Sequence, residues 1–172
     1  MNKTQEKISS HARQQAQDLL DFIDASPSPW HTVETAKQRL LADGFIEIHE
    51  TDAWQLTQGN SYFVTRGSAS IIAFRIGSSA LINSGFAMVG AHTDSPGLRL
   101  KPHAPYSSDG LTRIGVEVYG GPILATFTDR DLSLAGRVTL RSNDQKCAAA
   151  NLHRTDGDAG WLWEWTRPSG RI

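Results

Sequence analysis

At 172 residues the chain is long enough for one ordinary domain or one and a fraction. With 39% hydrophobic and 20% charged residues its composition is globular, and 17 Lys+Arg against 18 Asp+Glu leave a formal charge of -1, so no nucleic-acid or anionic-membrane partner is expected. A single cysteine, Cys147, excludes an intrachain disulfide and a thiolate zinc knuckle. The opening MNKTQEKISSHARQQAQ has no apolar centre, so neither a secretory leader nor a membrane span is expected and a cytoplasmic protein is the default.

Between Thr4 and Ala25 apolar residues recur at Ile8, Ala12, Ala16, Leu19, Leu20 and Ile23, the spacing of a helix that buries one stripe. SPSPW stops it, because residues before proline are pushed out of the α region. A second helix over Thr32–Ala42 turns Val33, Ala36, Leu40 and Leu41 inward and ends at Gly44, read as a C′ glycine. FIEIHE reads as a strand, and SYFVTRGSASIIAFRIG as two strands joined by a turn at Arg66-Gly67-Ser68. GFAMVGA (85–91) is wholly apolar and bounded by glycines, which predicts a buried sheet strand. Helices followed by mixed strands argue for an α/β sheet with helical cover.

Past Asp94 the texture changes. SPGLRLKPHAPYSSDG is rich in Pro, Gly and Ser and reads as an interdomain crossing, and the alternating TRIGVEVYGG and LSLAGRVTLRS predict a second, β-rich unit beginning near Lys101. The last stretch, CAAANLHRTDGDAGWLWEWTRPSGRI, crowds three of the five tryptophans into WLWEW and carries neither a helical nor a strand pattern.

The chemistry lies in His92-Thr93-Asp94-Ser95, directly after the apolar run. In an open α/β sheet, sites form beyond the carboxyl ends of strands, and in extended backbone residues i and i+2 point to the same side. Asp94 can therefore approach the imidazole of His92, fix its tautomer and raise the basicity of the nitrogen that would bind a metal. The residues alone leave two readings open: a solvated polar loop, or a metal site with His92 as ligand and Asp94 as its orienting group.

Four blocks taken in order, LLDFIDASPSPWHTVETAKQRLLADGF, AMVGAHTDSPGLRLKP, GVEVYGG and DRDLSLAGRV, resemble the opening of the M18 metallo-aminopeptidases, the aspartyl aminopeptidases. The resemblance runs from about Asp18 to about Arg141. It implies a cytoplasmic peptidase using two zinc ions to remove N-terminal acidic residues (Asp or Glu) from peptides, with no nucleic-acid or membrane partner. It also implies an α/β catalytic domain interrupted by an inserted β-rich dimerisation domain, assembled into tetrahedral dodecamers. On that basis residues 1–100 are the N-terminal portion of the catalytic domain, 101–144 the start of the dimerisation domain and 145–172 a divergent tail. His92 corresponds to a zinc ligand and Asp94 to the catalytic aspartate that steadies it. In such sites the metals polarise the scissile carbonyl and lower the pKa of the attacking water.

The resemblance places the remaining zinc ligands and the general-base glutamate downstream of the inserted domain. The chain is therefore expected to be a truncated form, inactive alone, whose clustered Trp, Arg, Gly and Pro after Arg141 fit translation in a shifted frame. The alternative is a non-catalytic remnant or assembly module that keeps a dimerisation surface. The other polar residues have structural readings. His31 is expected to pack or cap at a helix start, His103 to be a solvated linker residue, and Asp129 and Asp131 to form salt bridges with nearby Arg130 and Arg137. YGGP is a glycine turn without the lysine and helix of a phosphate loop.

Overall fold

A computed structural model of the chain describes residues 9–79, 82, 85–141 and 147–154. Helix α1 (Ser10–Asp24) starts where the Ser9 hydroxyl accepts the Ala12 N–H at 3.1 Å, and Gln17 Nε2 reaches Asp21 Oδ1 one turn on at 2.8 Å. Helix α2 (Pro29–Ala42) begins three residues before the expected Thr32, because Pro29 fits the first helical position, where its missing N–H is no loss. It ends as the sequence predicts. Gly44 adopts φ 80°, its N–H bonds to the Leu41 carbonyl at 3.0 Å, and the Phe45 N–H bonds to Leu40 at 2.9 Å, the paired closure of a Schellman motif.

The buried centre is a three-stranded sheet in the order β1 (Ile46–Glu47), β2 (Ser61–Arg66), β3 (Ser70–Arg75). β1 lies parallel to β2, pairing Ile46 with Tyr62, and β3 returns antiparallel through the turn at Gly67, pairing Phe63 with Ala73. β2 is the middle strand, and its Tyr62, Phe63 and Val64 are all buried, with Val33 of α2 and Ile76 completing the core. The Lys37–Glu47 ion pair, at 2.8 Å and largely shielded, ties α2 to β1.

Two long ribbons follow. β4 (Gly97–Ser108) and β5 (Leu111–Tyr119) pair antiparallel around a two-residue Asp109-Gly110 turn whose φ values are both positive, 55° and 74°. That is the primed turn a right-twisted hairpin needs. The expected linker 95–110 is therefore mostly strand: Asp-Gly between two apolar stretches was a hairpin signal, and the prolines are absorbed at an irregularity between Leu100 and Pro105, where His103 takes φ 57°. The boundary expected at Lys101 falls inside β4. A 3₁₀ turn (Leu124–Thr126) leads to β6 (Leu134–Arg141), which pairs antiparallel with β7 (Cys147–Arg154), so CAAANLHR is a strand despite its weak pattern. The tryptophan-rich remainder, residues 155–172, lies outside the described residues. Among the described residues no helix is long and apolar enough to cross a membrane.

Two further expectations fail together. GFAMVGA is not a strand, and its Phe86, Met88 and Val89 are 76%, 88% and 102% exposed. The stripe of α1 is also open, with Leu19, Leu20 and Ile23 more than half exposed. Apolar pattern states what a segment would bury, but burial requires a facing layer. Among the described residues neither segment has one, and α1 meets α2 chiefly through Arg39, which pairs with Asp18 at 3.0 Å and lies 5.0 Å over the Phe22 ring.

Gly120 shows where backbone freedom is required. It has φ 70°, and a Cβ there would lie 3.3 Å from Pro96. Gly120→Ala is expected to destabilise the chain by about 1–2 kcal/mol, the strain of a left-handed L-residue. The urea midpoint should fall at unchanged m; an unchanged midpoint would mean that the turn relaxes freely.

Candidate active site

The segment around His92 has no regular structure of its own, and Thr93 holds it. The Thr93 hydroxyl donates to the Ala69 carbonyl in the β2–β3 turn at 3.0 Å, and the Thr32 hydroxyl of α2 donates to the Thr93 carbonyl at 3.3 Å. Thr93, at a bend in the chain, is thus anchored to the sheet and leaves its neighbours on the more open side. The side chains of His92 and Asp94 are accordingly 79% and 41% exposed.

The two residues come together as expected, but the hydrogen bond expected of the carboxylate is made by the main chain. His92 Nδ1 lies 2.6 Å from the Asp94 main-chain carbonyl and 3.4 Å from carboxylate Oδ1. The main chain supplies the short contact and the carboxylate flanks it. A carbonyl only accepts, so Nδ1 carries a proton and the neutral ring keeps its lone pair on Nε2, the tautomer a metal can use.

Asp94 is itself gripped from β5. The Tyr119 hydroxyl donates to Asp94 Oδ2 at 2.5 Å, and the Arg99 guanidinium lies 4.4 Å over the Tyr119 ring. That hydroxyl, with a bond from its own backbone N–H, holds the Asp94 carboxyl below the usual carboxylate range, His92 and Arg99 adding smaller attractions. Asp94 thus stays ionised into more acidic solution than a free aspartate. In turn the carboxylate raises the Tyr119 hydroxyl above its ordinary value, because losing that proton would set a second negative charge beside it.

A cleft of about 590 Å³ opens beside this group, between the Ser26–Trp30 approach to α2, the loop 93–98, Tyr119 and β6. Asp94 lines it; the imidazole of His92 does not. Among the described residues no three His, Cys, Asp or Glu side chains come together as a metal shell. One imidazole with an orienting carboxylate fits a single ligand position of a zinc site, whereas a catalytic zinc takes about three protein ligands.

The remaining polar residues behave structurally. His31 Nδ1 is 2.7 Å from the hydroxyl of the N-cap Ser28, the helix-start role expected of it. Asp129 and Asp131 make no ion pair among the described residues, because Arg130 donates to the Thr126 carbonyl at 3.3 Å and Arg137 to the Gly67 carbonyl at 3.0 Å. Tyr119 is the site residue that sequence reasoning missed. Its signal was present, a strand ending in an aromatic before Gly-Gly, but only the β4–β5 register, which sets Tyr119 opposite Gly97, brings it to Asp94.

Comparison with known proteins adds a lineage to this geometry. The family profile described as Aminopeptidase I zinc metalloprotease (M18) matches residues 22–157. Aspartyl aminopeptidase 1 of Schizosaccharomyces pombe is 46% identical over 149 residues, which cover 86% of this chain and 32% of that protein. Among solved structures, the chain is similar to one in the complex of Ape4 and Nbr1, with a TM-score of 0.83, 44% identity, and 88% and 29% of the two chains covered. It is also similar to the S. cerevisiae mApe1 dodecamer, with a TM-score of 0.77, 26% identity, and coverage of 85% and 34%. The chain spans about a third of the length of these relatives. The profile match continues past Arg141 through β7.

Proposed function

The chain belongs to the M18 aminopeptidase family, and from that premise we propose that it carries part of the active site of a zinc aminopeptidase that removes acidic residues from peptide N-termini. The observation that carries this reading is the His92–Asp94 pair, with Nδ1 engaged and the imidazole otherwise open to a ligand. In this reading His92 is a zinc ligand and Asp94 the carboxylate that orients it. Zinc, as a pair of ions in the complete site, would polarise the scissile carbonyl and activate water. The other ligands and the general base would come from the two thirds of the family-length polypeptide that the matched stretch does not span. The preference for Asp or Glu rests on similarity to an aspartyl aminopeptidase, and a homo-oligomeric, dodecameric assembly on similarity to the mApe1 dodecamer. Residues 101–144 would then begin the dimerisation domain, and the enzyme would act in the cytoplasm. The test is hydrolysis by the family-length zinc enzyme of peptides that differ only in an N-terminal Asp, Glu or Leu. Turnover that favours Asp or Glu and stops when zinc is stripped is the expected result; equal turnover of the Leu peptide would remove the acidic preference.

A second reading concerns the 172-residue chain by itself, a non-catalytic assembly module. It is favoured by the absence of a three-ligand cluster among the described residues. Tight zinc sites need several donors in fixed geometry. Zinc titration of this chain should therefore show no stoichiometric high-affinity site that His92→Ala abolishes, and finding one would make it a metalloprotein in its own right.

A further inference from the structure

We propose that Tyr119 is a positioning residue of the aminopeptidase site, whose hydroxyl fixes the Asp94 carboxylate in the orientation that supports His92. The proposal rests on the functional reading above and goes beyond it, since it adds a third member to the His92–Asp94 pair and places that member on the β4–β5 ribbon. Asp94 divides its oxygens: Oδ1 faces His92 Nδ1 at 3.4 Å, and Oδ2 accepts the Tyr119 hydroxyl at 2.5 Å. The terminal torsion of an aspartate is broad and close to two-fold. A half-exposed carboxylate free at both oxygens would therefore turn, and the bond to Oδ2 is what keeps Oδ1 beside the imidazole, 3.4 Å from Nδ1.

The phenol is in turn well fixed. Tyr119 stands opposite Gly97 in the register, where no side chain competes for the space over the start of β4. The Arg99 guanidinium covers its ring at 4.4 Å, placing a positive charge near the carboxylate without occupying either carboxylate oxygen. The following Gly120 is pressed against Pro96, two residues beyond Asp94, at a separation that leaves a Cβ only 3.3 Å. The Tyr-Gly-Gly-Pro turn and the His-Thr-Asp-Ser-Pro loop thus meet at two points, a hydrogen bond and the close approach of Gly120 to Pro96. Thr93 fixes the loop to the central sheet from the other side. The geometry of His92 therefore depends on the docking of the β4–β5 ribbon as well as on the sheet.

The experiment compares Tyr119→Phe, Asp94→Asn, the double variant and His92→Ala in the family-length zinc enzyme. It measures kcat and KM on a peptide with an N-terminal Asp, zinc retention against a chelator, and the thermal midpoint. Tyr119→Phe keeps the ring beneath Arg99 and deletes only the donor. It should lower kcat roughly 10-fold, the lower end for an outer partner of a metal ligand, with KM and the thermal midpoint nearly unchanged and zinc lost earlier to the chelator. If the hydroxyl acts through Asp94, adding Tyr119→Phe to Asp94→Asn should bring little further loss. A kcat within about twofold of the parent, or a full additional loss in the double variant, overturns the proposal while leaving the aminopeptidase reading intact. Full activity and full zinc in His92→Ala would overturn both, and that control separates the two failures.

Discussion

His92→Ala in the family-length enzyme is expected to lose zinc and peptidase activity together, by more than the roughly 10–100-fold that removal of an outer partner produces. The reason is positional. Nδ1 is committed to the Asp94 carbonyl at 2.6 Å, so the lone pair resides on Nε2 of a ring that is otherwise open. In the proposed reading alanine would remove a direct metal bond, which an outer partner does not make. Asp94→Asn should behave differently. The main-chain carbonyl remains, so the tautomer of His92 is kept and the metal should be retained when zinc is abundant. The amide, however, offers one acceptor where the carboxylate offered two. If its oxygen takes the Tyr119 hydroxyl, its NH₂ faces the Nδ1–H of His92, donor against donor; if it turns over, the Tyr119 hydroxyl must become the acceptor, and a neutral bond replaces the charge-assisted one. Turnover should fall roughly 10–100-fold with most of the zinc still bound. Metal analysis beside the peptidase assay separates the two variants, and near-normal turnover in Asp94→Asn would remove the orienting role assigned to that carboxylate.

The parts of this site that could be read in the sequence are those set by local geometry. His92 and Asp94 are only two residues apart, which keeps them neighbours, although the bend at Thr93 gives the short contact to the Asp94 carbonyl. The C-cap at Gly44 and the turn at Gly67 were legible because glycine at positive φ leaves a mark in the chain itself. Burial was less legible. The run 85–91 has the composition of a covered strand, yet composition cannot supply the strands that would flank it, and Met88 and Val89 stand in the open. The β4–β5 hairpin was obscured by its own prolines, although Asp109-Gly110 is a strong turn signal. Tyr119 could not be placed without the register of that hairpin, since 25 residues separate it from the carboxylate it holds. Family resemblance supplied roles for His92 and Asp94, while the physical neighbour that links them to the ribbon came from the fold alone.

The second large effect is on stability. Among the described residues Phe63 is the largest side chain buried completely, at 0% exposure, in the middle of the one strand flanked on both sides. Its carbonyl accepts the Ile48 N–H at 2.9 Å, and it pairs with Glu47 on β1 and Ala73 on β3, so its backbone is held from both directions while its ring fills the core. Phe63→Ala removes most of that ring from a site where paired strands cannot close in. The expected loss is about 3–5 kcal/mol, a large share of the roughly 5–15 kcal/mol that holds an ordinary domain folded. The described core is small, with Val33, Tyr62, Val64 and Ile76 as its other main members, so few neighbours can compensate. Phe63→Leu keeps much of the volume and should lose less. Ile72→Ala, on β3 at a position 65% exposed, should stay within about 0.5 kcal/mol of the parent. Urea unfolding of the three variants at matched m provides the comparison. The effect should also extend to the site, because Thr93 hangs from Ala69 in the turn that β2 leads into. Loosening the strand should therefore raise amide exchange around His92 before the chain unfolds globally. A Phe63→Ala protein no less stable than Ile72→Ala would mean that β2 is not the centre of the core.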